Sequence, residues 1–382
     1  MVEDELSKLD EMNERTKNFL REKFKEYYLE YPIQLPPGFE SREWGFVMFD
    51  ALPKIVMYRH KSFHSRPEAL EYLRSMAPAH AFFSVAYYER PEAGTMADKK
   101  WLGADLIFDL DADHLPDAPK SYSAMLANVK DETLKLLNFL TDDFGFSEDL
   151  IDVVFSGGRG YHIHVRDQRV RTLGSAQRRE IVDYVSGAGL SLKQILSEES
   201  GGWGAKTNRW IVKYLQGLRD RDDALKILQK FDGIGKARAK ALINAGNDAN
   251  IKLIRNGDTG FLKDIPESFW NELRLQAVQE IGASVDEPVT GDIKRLIRLP
   301  TSLHGGSSMR VVPLTLQTIE MFDPLNDAVV FSDAEISVAA ESPASCDLRG
   351  NHFEIEEGVN TVPGYAGIYL MCRGAVEYTG RV

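Results

Sequence analysis

Residues 106–113 read Leu-Ile-Phe-Asp-Leu-Asp-Ala-Asp, an apolar run with an acidic residue at every second position of its latter half. Successive side chains of a β-strand point to opposite faces, so this pattern predicts that Asp109 and Asp111 project together while Phe108 and Leu110 face the core. Neighbouring carboxylates repel each other, and hard oxygen ligands of this kind suit Mg²⁺ or Mn²⁺. The same pattern also occurs in turns and on solvated strand faces, which is the alternative interpretation.

A second stretch, residues 152–165, reads Asp-Val-Val-Phe-Ser-Gly-Gly-Arg-Gly-Tyr-His-Ile-His-Val and predicts two strands joined by a glycine turn. Glycine permits positive φ and lets backbone N–H groups approach an anion closely. Arg159 supplies a planar fork of donors for phosphate oxygens, and Ser156 adds a hydroxyl. His162 lies nearer the turn than His164 and is the better candidate for phosphate contact. A plain hairpin and a His-x-His transition-metal site are the alternatives.

The third cluster is residues 285–304, Val-Asp-Glu-Pro-Val-Thr-Gly-Asp-Ile-Lys-Arg-Leu-Ile-Arg-Leu-Pro-Thr-Ser-Leu-His. Asp286 is a candidate third carboxylate, and Arg295, Arg298 and His304 are candidates for pairing with phosphates. The alternative is an ordinary helix that carries solvated basic side chains. Asp105 and Asp113 share the parity of the first acidic pair but lie toward the ends of its apolar run, so we expect less of them as ligands.

The composition is that of a globular protein without a disulfide framework. Hydrophobic residues make up 43%, charged residues 27%, and the 382 residues include two cysteines. This cysteine usage indicates a reducing, cytoplasmic compartment. The sequence contains no run of about 18 apolar residues, so we expect no membrane span.

The net charge of −12 is distributed unevenly along the chain. Residues 155–230 carry 14 basic and 8 acidic side chains, whereas residues 311–382 carry 3 basic and 11 acidic ones. Local charge governs contact with phosphates, so the negative total does not exclude a nucleic-acid partner. The alternative is that both segments form solvated surfaces and bind no partner.

Hydrophobic patterning predicts an α+β fold in which a largely helical segment is inserted. Apolar or alternating runs predict strands at Ala81–Tyr88, Ala104–Leu110, Asp152–Phe155 and, in the tail, Ala366–Cys372. A long amphipathic helix is expected at Ser121–Leu140. Residues 171–280 are patterned as helices, which divides the chain into a first part at 1–170, a helical insertion, and a second part at 281–382.

Residues 231–243, Phe-Asp-Gly-Ile-Gly-Lys-Ala-Arg-Ala-Lys-Ala-Leu-Ile, resemble a helix-hairpin-helix motif. In such motifs a turn before a basic helix presents backbone N–H groups to a DNA phosphate. An ordinary turn between two helices is the alternative, and it is the interpretation we favour for this segment.

Together the three motifs resemble the small catalytic subunit of archaeal and eukaryotic DNA primases. FDLDAD at 108–113, SGGRGYHIHV at 156–165 and VDEPVTGDIKRLIRLPTSLH at 285–304 follow the order and spacing of that family. REWGF at 42–46 and MYRHKSF at 57–63 resemble the family's N-terminal elements. The resemblance identifies the chain as a member of the archaeal form of this family.

The resemblance implies a mixed-sheet primase catalytic module with an inserted helical subdomain, and it implies roles for particular residues. Asp109, Asp111 and Asp286 would be the metal-binding catalytic carboxylates. The nucleotide would be held by Ser156, Arg159, His162, Arg295, Arg298, His304 and Arg59. Glu43 matches a position near the nucleotide or the initiating site.

The implied activity is that of a DNA-directed RNA polymerase that makes short primers on single-stranded DNA. The resemblance implies Mg²⁺ or Mn²⁺ as cofactor, NTPs and dNTPs as substrates, and a large primase subunit as partner in a heterodimer. Many members carry a Cys/His zinc knuckle after the acidic strand, but residues 114–123 contain no cysteine, so we expect no structural zinc there. A repair polymerase, a non-catalytic nucleic-acid-binding subunit and a metal-dependent phosphohydrolase are the competing hypotheses.

Overall fold

The computed structural model describes residues 12–51, 56–114, 121–197 and 202–381. The strands are β1 (Trp44–Val47), β2 (Met57–Lys61), β3 (His80–Ser84), β4 (Ala86–Tyr88), β5 (Trp101–Ala104), β6 (Leu106–Asp111), β7 (Ile151–Phe155), β8 (Gly160–Val165), β9 (Leu296–Arg298), β10 (Val312–Leu314), β11 (Glu335–Ala340), β12 (Ala344–Leu348), β13 (Asn351–Ile355), β14 (Gly358–Pro363) and β15 (Glu377–Arg381). They pair in antiparallel fashion into several small sheets.

The helices of the described residues are α1 (Glu14–Glu30), α2 (Arg66–Met76), α3 (Met96–Lys99), α4 (Tyr122–Asn138), α5 (Ser175–Ser186), α6 (Leu192–Ser197), α7 (Gly202–Arg219), α8 (Ala224–Leu228), α9 (Lys236–Ala245), α10 (Asp248–Arg255), α11 (Glu267–Ile281), α12 (Glu287–Gly291), α13 (Pro324–Asp327) and α14 (Gly364–Cys372). None of these helices is long and apolar enough to cross a membrane. Helices and small sheets in this proportion confirm the predicted α+β class.

Two four-stranded sheets carry the residues of interest. In the first sheet the strand order is β2-β1-β3-β9, and in the second it is β10-β7-β8-β6. Phe108 and Leu110 are buried on β6, while Asp109 and Asp111 are partly exposed, as the alternation predicted. The predicted helix at Ser121–Leu140 is also confirmed, because α4 occupies most of it.

The chain forms two compact units. The first comprises the residues up to Thr133, Phe146–Arg179 and the residues from Val285 onward, and it holds every strand described above. The second comprises Leu134–Gly145 and Glu180–Ser284, and it is helical. In its core α7 packs against α9, α10 and α11 around a cluster of apolar side chains that includes Leu215, Leu242 and Leu273.

The glycine-containing turn of residues 231–243 lies between α8 and α9 in the second unit. Phe231 and Ile234 are buried in the helical core, and Gly235 is the N-cap of α9 without a side-chain cap. Lys236 and Arg238 are exposed at the start of that helix. Contact of this turn with DNA stays a prediction.

Two local predictions from patterning were wrong. Ala366–Cys372 was expected as a strand but lies within α14, in which every residue is buried. A short apolar run fits a buried helix as well as a strand, and Gly367 lets this helix pack closely on Ile336 of β11. The helical alternative for the basic stretch before Pro300 is also wrong, because β9 pairs with β3 as a strand.

Candidate functional site

The acidic strand β6 lies next to β8, and this pairing brings two of the sequence motifs together. Asp109 pairs with His162 and Asp111 with Gly160 across the ladder. The Oδ1 atom of Asp109 is 3.5 Å from Nε2 of His162. The third motif approaches the same strand, because the backbone N–H of Asp286 donates a hydrogen bond of 3.0 Å to the carbonyl of Asp109.

Burial and neighbouring carboxylates make Asp109 an unfavourable place for a negative charge. Burial is the largest cause that raises its pKa from 3.8 to about 7, the charges of Asp111 and Asp286 act in the same direction, and Arg295 and Arg298 oppose the shift. A carboxyl group in such surroundings is stabilised in its ionised form by an added cation. The acidic cluster therefore has the electrostatic character of a cation site.

The glycine turn after β7 is shaped by close approaches that exclude larger residues. Gly157 has a φ of +78°, and a Cβ on Gly160 would lie 2.0 Å from the carbonyl oxygen of Leu110. Ser156 Oγ accepts hydrogen bonds of 3.3 Å from the N–H groups of Gly158 and Gly160. The hydroxyl of Ser156 thus holds the turn together and keeps its own proton available for a ligand.

Arg159 projects from this turn toward the acidic strand. Its Nη2 atom is 2.6 Å from Oδ2 of Asp113, and its Nε atom is 4.0 Å from Oδ1 of Asp111. Asp113 is therefore the ion-pair partner of the arginine. That Asp113 is a poorer metal-ligand candidate than Asp109 and Asp111 stays a prediction.

The opposite wall of the site comes from β9 and the loop that follows it. Arg295 and Arg298 flank the apolar centre of β9, and His304 lies in the loop. A Cβ on Gly157 would lie 2.7 Å from Cβ of His304, so the glycine turn packs directly against this histidine. Gly157 and His304, 147 positions apart in sequence, thus meet in one place.

These walls line one cleft, whose cavity volume is about 90 Å³. Eight of the ten residues singled out by sequence line it: Asp109, Asp111, Ser156, Arg159, His162, Arg295, Arg298 and His304. The structure therefore brings together the acidic, glycine-rich and basic motifs that were separate in the sequence.

The remaining two residues, Asp286 and Arg59, do not line the cleft. Asp286 is the N-cap of α12 and acts on Asp109 through its charge. Arg59 lies on β2, where its Nε atom is 3.0 Å from Oε1 of Glu43. The buried Glu43 carboxylate also accepts a hydrogen bond from the N–H of His60 and lies 3.7 Å from Nζ of Lys99.

Asp105 shares the two-residue spacing of Asp109 and Asp111, but it has a structural role. Its Oδ2 atom accepts a hydrogen bond of 2.7 Å from Nη2 of Arg42, and both side chains are fully buried. The Tyr87 hydroxyl donates to its other oxygen at 2.9 Å. Asp105 therefore belongs to a buried ion pair of the core.

His164 does not line the cleft, whereas His80 contacts a residue that does. The ring of His164 stacks on Phe83, with centroids 5.9 Å apart, and burial lowers its pKa to about 4. His80 lies 2.6 Å from Nη1 of Arg298 through its Nδ1 atom. No sequence signal marks His80, because it stands at the start of an otherwise apolar strand.

A divalent metal ion is implied by the acidic pair, and the residues present suit one in their chemistry. Their donors are hard carboxylate oxygens, and the pKa of Asp109 is raised by burial and by the neighbouring carboxylates, whose repulsion a cation relieves. Within the described ranges, no three His, Cys, Asp or Glu side chains form a group that could hold a metal ion. The expectation of no zinc in residues 114–123 falls mainly on residues 115–120, which lie outside the described part of the chain.

Comparison with known proteins agrees with this arrangement of motifs. The sequence profile of the family described as DNA primase small subunit matches residues 108–316. The DNA primase small subunit PriS of Methanococcoides burtonii is 50% identical over 388 residues, covering 96% of this chain and 100% of that protein. The corresponding proteins of Methanosarcina barkeri and Methanothrix thermoacetophila are 46% and 43% identical over nearly the whole of both chains.

The chain belongs to the DNA primase small subunit family. The resemblance seen in the three motifs is therefore confirmed, in the archaeal form. The matched region of the primase family includes nine of the ten residues singled out by sequence; Arg59 lies upstream of it. A primase small subunit is a transferase of the polymerase type, and members of this family use divalent metal ions in general.

Proposed function

We propose that the chain is a nucleotidyltransferase, a DNA-directed RNA polymerase that synthesises short primers on single-stranded DNA for replication and also incorporates dNTPs. The observation that carries this proposal is the cleft, in which Asp109 and Asp111 on β6 face Arg295 and Arg298 across one cavity. Phosphoryl transfer depends mainly on positioning and on charge stabilisation, and a cleft with a carboxylate wall and a cationic wall supplies both.

In this proposal the triphosphate is held by the cations of the cleft. Three positively charged side chains line the cleft, where they can bind the strongly negative triphosphate: Arg159, Arg295 and Arg298. Each guanidinium can bind two phosphate oxygens at once. Arg159 would exchange its contact with Asp113 for the triphosphate. His304 and the Ser156 hydroxyl would add hydrogen bonds from the loop side of the cleft.

His162 would contribute as a neutral hydrogen-bonding group. Burial holds its pKa well below the usual range, with the positive charges around it acting in the same direction. Its Nδ1 atom is buried and has no hydrogen-bond partner among the described residues. A neutral imidazole beside Asp109 can orient a carboxylate or a phosphate oxygen without adding charge to the site.

Asp109 and Asp111, with Asp286 behind them, would hold Mg²⁺ or Mn²⁺. When bound, the metal lowers the pKa of the primer 3′-hydroxyl and neutralises charge on the triphosphate and the leaving pyrophosphate. The protein's part is to hold Asp109 and Asp111 on one strand, where burial and the neighbouring carboxylates raise the pKa of Asp109. Arg295 and Arg298 lower that pKa and so favour the ionised form that binds cations.

We further propose a large primase subunit as the partner in a heterodimer, single-stranded DNA as template, and the cytoplasm as the site of action. In this proposal residues 171–280 are a subdomain inserted between the two parts of the catalytic module, 1–170 and 281–382. Support for the partner comes from the names of the relatives, which are small subunits. We also propose that Arg59, on β2, contacts the nucleotide and gives up its ion pair with Glu43 when it does so.

The test is primer synthesis on a single-stranded homopolymer template with Mg²⁺ or Mn²⁺. Wild-type protein should make or extend oligomers that depend on the template, and the double variant Asp109→Ala/Asp111→Ala should not. Asp347→Ala, which removes an exposed carboxylate from β12, is the matched control and should keep activity.

Three results would contradict the proposal. Template-independent release of phosphate would indicate a phosphohydrolase. Full activity of the double variant would show that synthesis does not depend on the carboxylates of the acidic strand. Binding of DNA without any synthesis under either metal would indicate a non-catalytic subunit.

A further inference from the structure

His80 is buried behind the cleft and contacts two of the side chains that line it. The residue begins β3 and is 2% exposed. Its Nδ1 atom lies 2.6 Å from Nη1 of Arg298 and 3.3 Å from the backbone N of Gly305. Guanidinium and amide N–H groups can only donate, so Nδ1 must be the acceptor and the proton of the neutral ring is on Nε2.

The same ring supports the loop that carries His304. The rings of His80 and His304 meet edge to face, with centroids 5.0 Å apart and planes at 89°. A Cβ on Gly305 would lie 2.8 Å from Nε2 of His80, so the loop passes close over the imidazole. One buried side chain therefore touches the guanidinium, the loop backbone and the second histidine.

The guanidinium of Arg298 is constrained from a second side by Phe82. Its Cζ atom lies 5.2 Å from the centre of the Phe82 ring, and the two residues are paired across β9 and β3. An arginine side chain loses considerable rotamer freedom on binding an anion, and contacts that orient it beforehand reduce that loss. His80 and Phe82 together leave the guanidinium few orientations.

We propose that His80 is a positioning residue for the nucleotide, which fixes Arg298 and His304 in the orientation that binds the triphosphate. The inference rests on the proposed function, because it takes these two residues as nucleotide contacts. A purely structural histidine would support stability but would leave nucleotide affinity unchanged once the protein has folded. The two roles therefore differ in what they do to KM.

Three substitutions at His80 separate these roles. His80→Leu removes the acceptor, His80→Asn keeps a polar atom near the position of Nδ1, and His80→Gln carries the same amide one methylene further out. We expect His80→Leu and His80→Gln to raise the KM for NTP roughly 10- to 100-fold, with a smaller change in kcat. His80→Asn should stay within about threefold of wild type.

A double-mutant cycle with Arg298→Ala tests whether the effect passes through the arginine. If it does, His80→Leu should have little further effect on NTP affinity when Arg298 is already alanine, because the two changes remove one shared interaction. Additive losses would overturn the inference. His164→Leu is the matched control, because His164 is a second buried histidine that stacks on Phe83 and does not line the cleft, and it should leave KM unchanged.

Thermal unfolding and equilibrium binding of labelled NTP complete the design. Should His80→Leu fail to fold, the comparison of His80→Asn with His80→Gln still decides the matter, and equal KM values for these two variants would overturn the inference. A wild-type protein that binds NTP without polymerising it would contradict the proposed function. The double-mutant cycle, measured by NTP binding, would still test the role of His80. A wild type that polymerises and a His80→Leu variant with normal KM would sink the inference alone.

Discussion

Asp105 and Asp109 lie four positions apart, and both have a carboxylate side chain. Because their surroundings differ, we expect their substitution to have different effects on stability. Asp105 is enclosed by Arg42 and the Tyr87 hydroxyl, whereas Asp109 lines the cleft and is crowded by Asp111. Breaking a buried ion pair leaves the partner charge uncompensated. Neutralising one member of a repelling pair removes an unfavourable interaction.

We therefore expect Asp105→Asn to lower the free energy of unfolding by about 3–5 kcal/mol. Asp109→Asn should leave that free energy unchanged or raise it, and should reduce primer synthesis by more than about 100-fold. Chemical denaturation and the template-dependent assay measure the two effects. Equal destabilisation by both substitutions would show that the distinction between them is wrong.

His164 should weaken the folded state in acid. Burial lowers its pKa from 6.5 to about 4, so the unfolded chain binds a proton at a pH where the folded protein does not. Stability contributed by the neutral ring is complete above pH 6.5 and declines as the pH falls toward 4. The loss at pH 4 is about 3 kcal/mol, because each tenfold difference in proton affinity between the two states corresponds to about 1.4 kcal/mol.

The His164→Leu variant should lack this part of the pH dependence. Denaturant midpoints measured between pH 7 and pH 4 should fall less steeply for the variant than for the wild type. His64→Leu is the control, because His64 is exposed and its replacement should leave the slope unchanged. Parallel curves for His164→Leu and the wild type would contradict the assignment.

At the scale of elements, α4 contacts the glycine turn through Tyr122, and a cation at the end of α14 packs on that tyrosine. The hydroxyl of Tyr122, at the start of α4, donates a hydrogen bond of 2.6 Å to the carbonyl of Gly158. The guanidinium of Arg373, at the end of α14, lies over the Tyr122 ring, 4.9 Å from its centre. The turn that presents Arg159 is thus held by elements far from it in sequence.

Removing the Tyr122 hydroxyl should loosen this turn without unfolding the protein. We expect Tyr122→Phe to raise the KM for NTP about fivefold, which corresponds to the net loss of one hydrogen bond of about 1 kcal/mol. Steady-state kinetics measure the change. Tyr184→Phe removes a comparable hydroxyl, bonded to Asp143 in the helical unit, and should leave KM unaffected. Equal effects from both variants would point to a general loss of stability.

For the whole molecule, the net charge of −12 says little about the cleft, where cations and carboxylates are arranged locally. A cation that binds the folded cleft and not the unfolded chain stabilises the folded protein. Mn²⁺ at a hundredfold excess over its Kd should add about 2.7 kcal/mol to the free energy of unfolding.

Thermal unfolding with and without Mn²⁺ checks this expectation. The double variant Asp109→Asn/Asp111→Asn should lose the rise in Tm, and Asp347→Asn should keep it. The same rise in all three proteins would mean that the ion binds elsewhere. Chelation with EDTA should return the wild type to its original Tm.

Consecutive residues were enough to predict the features that depend on local geometry. The two-residue period of a strand placed Asp109 and Asp111 on one face, and the glycine turn followed from the need for positive φ and close approach. The spacing of three motifs was enough to indicate the family. These properties are encoded in short stretches of chain, so they could be seen without the fold.

Tertiary structure alone decided which partner each polar side chain has. Asp105 meets Arg42, 63 residues away, and becomes part of the core, and His80 meets Arg298, 218 residues away, behind the cleft. The tail segment Ala366–Cys372 is a helix because its packing surroundings, rather than its own pattern, select the conformation. A side chain's role depends on the charges and volumes that the folded chain brings to it, and these come from residues distant in sequence.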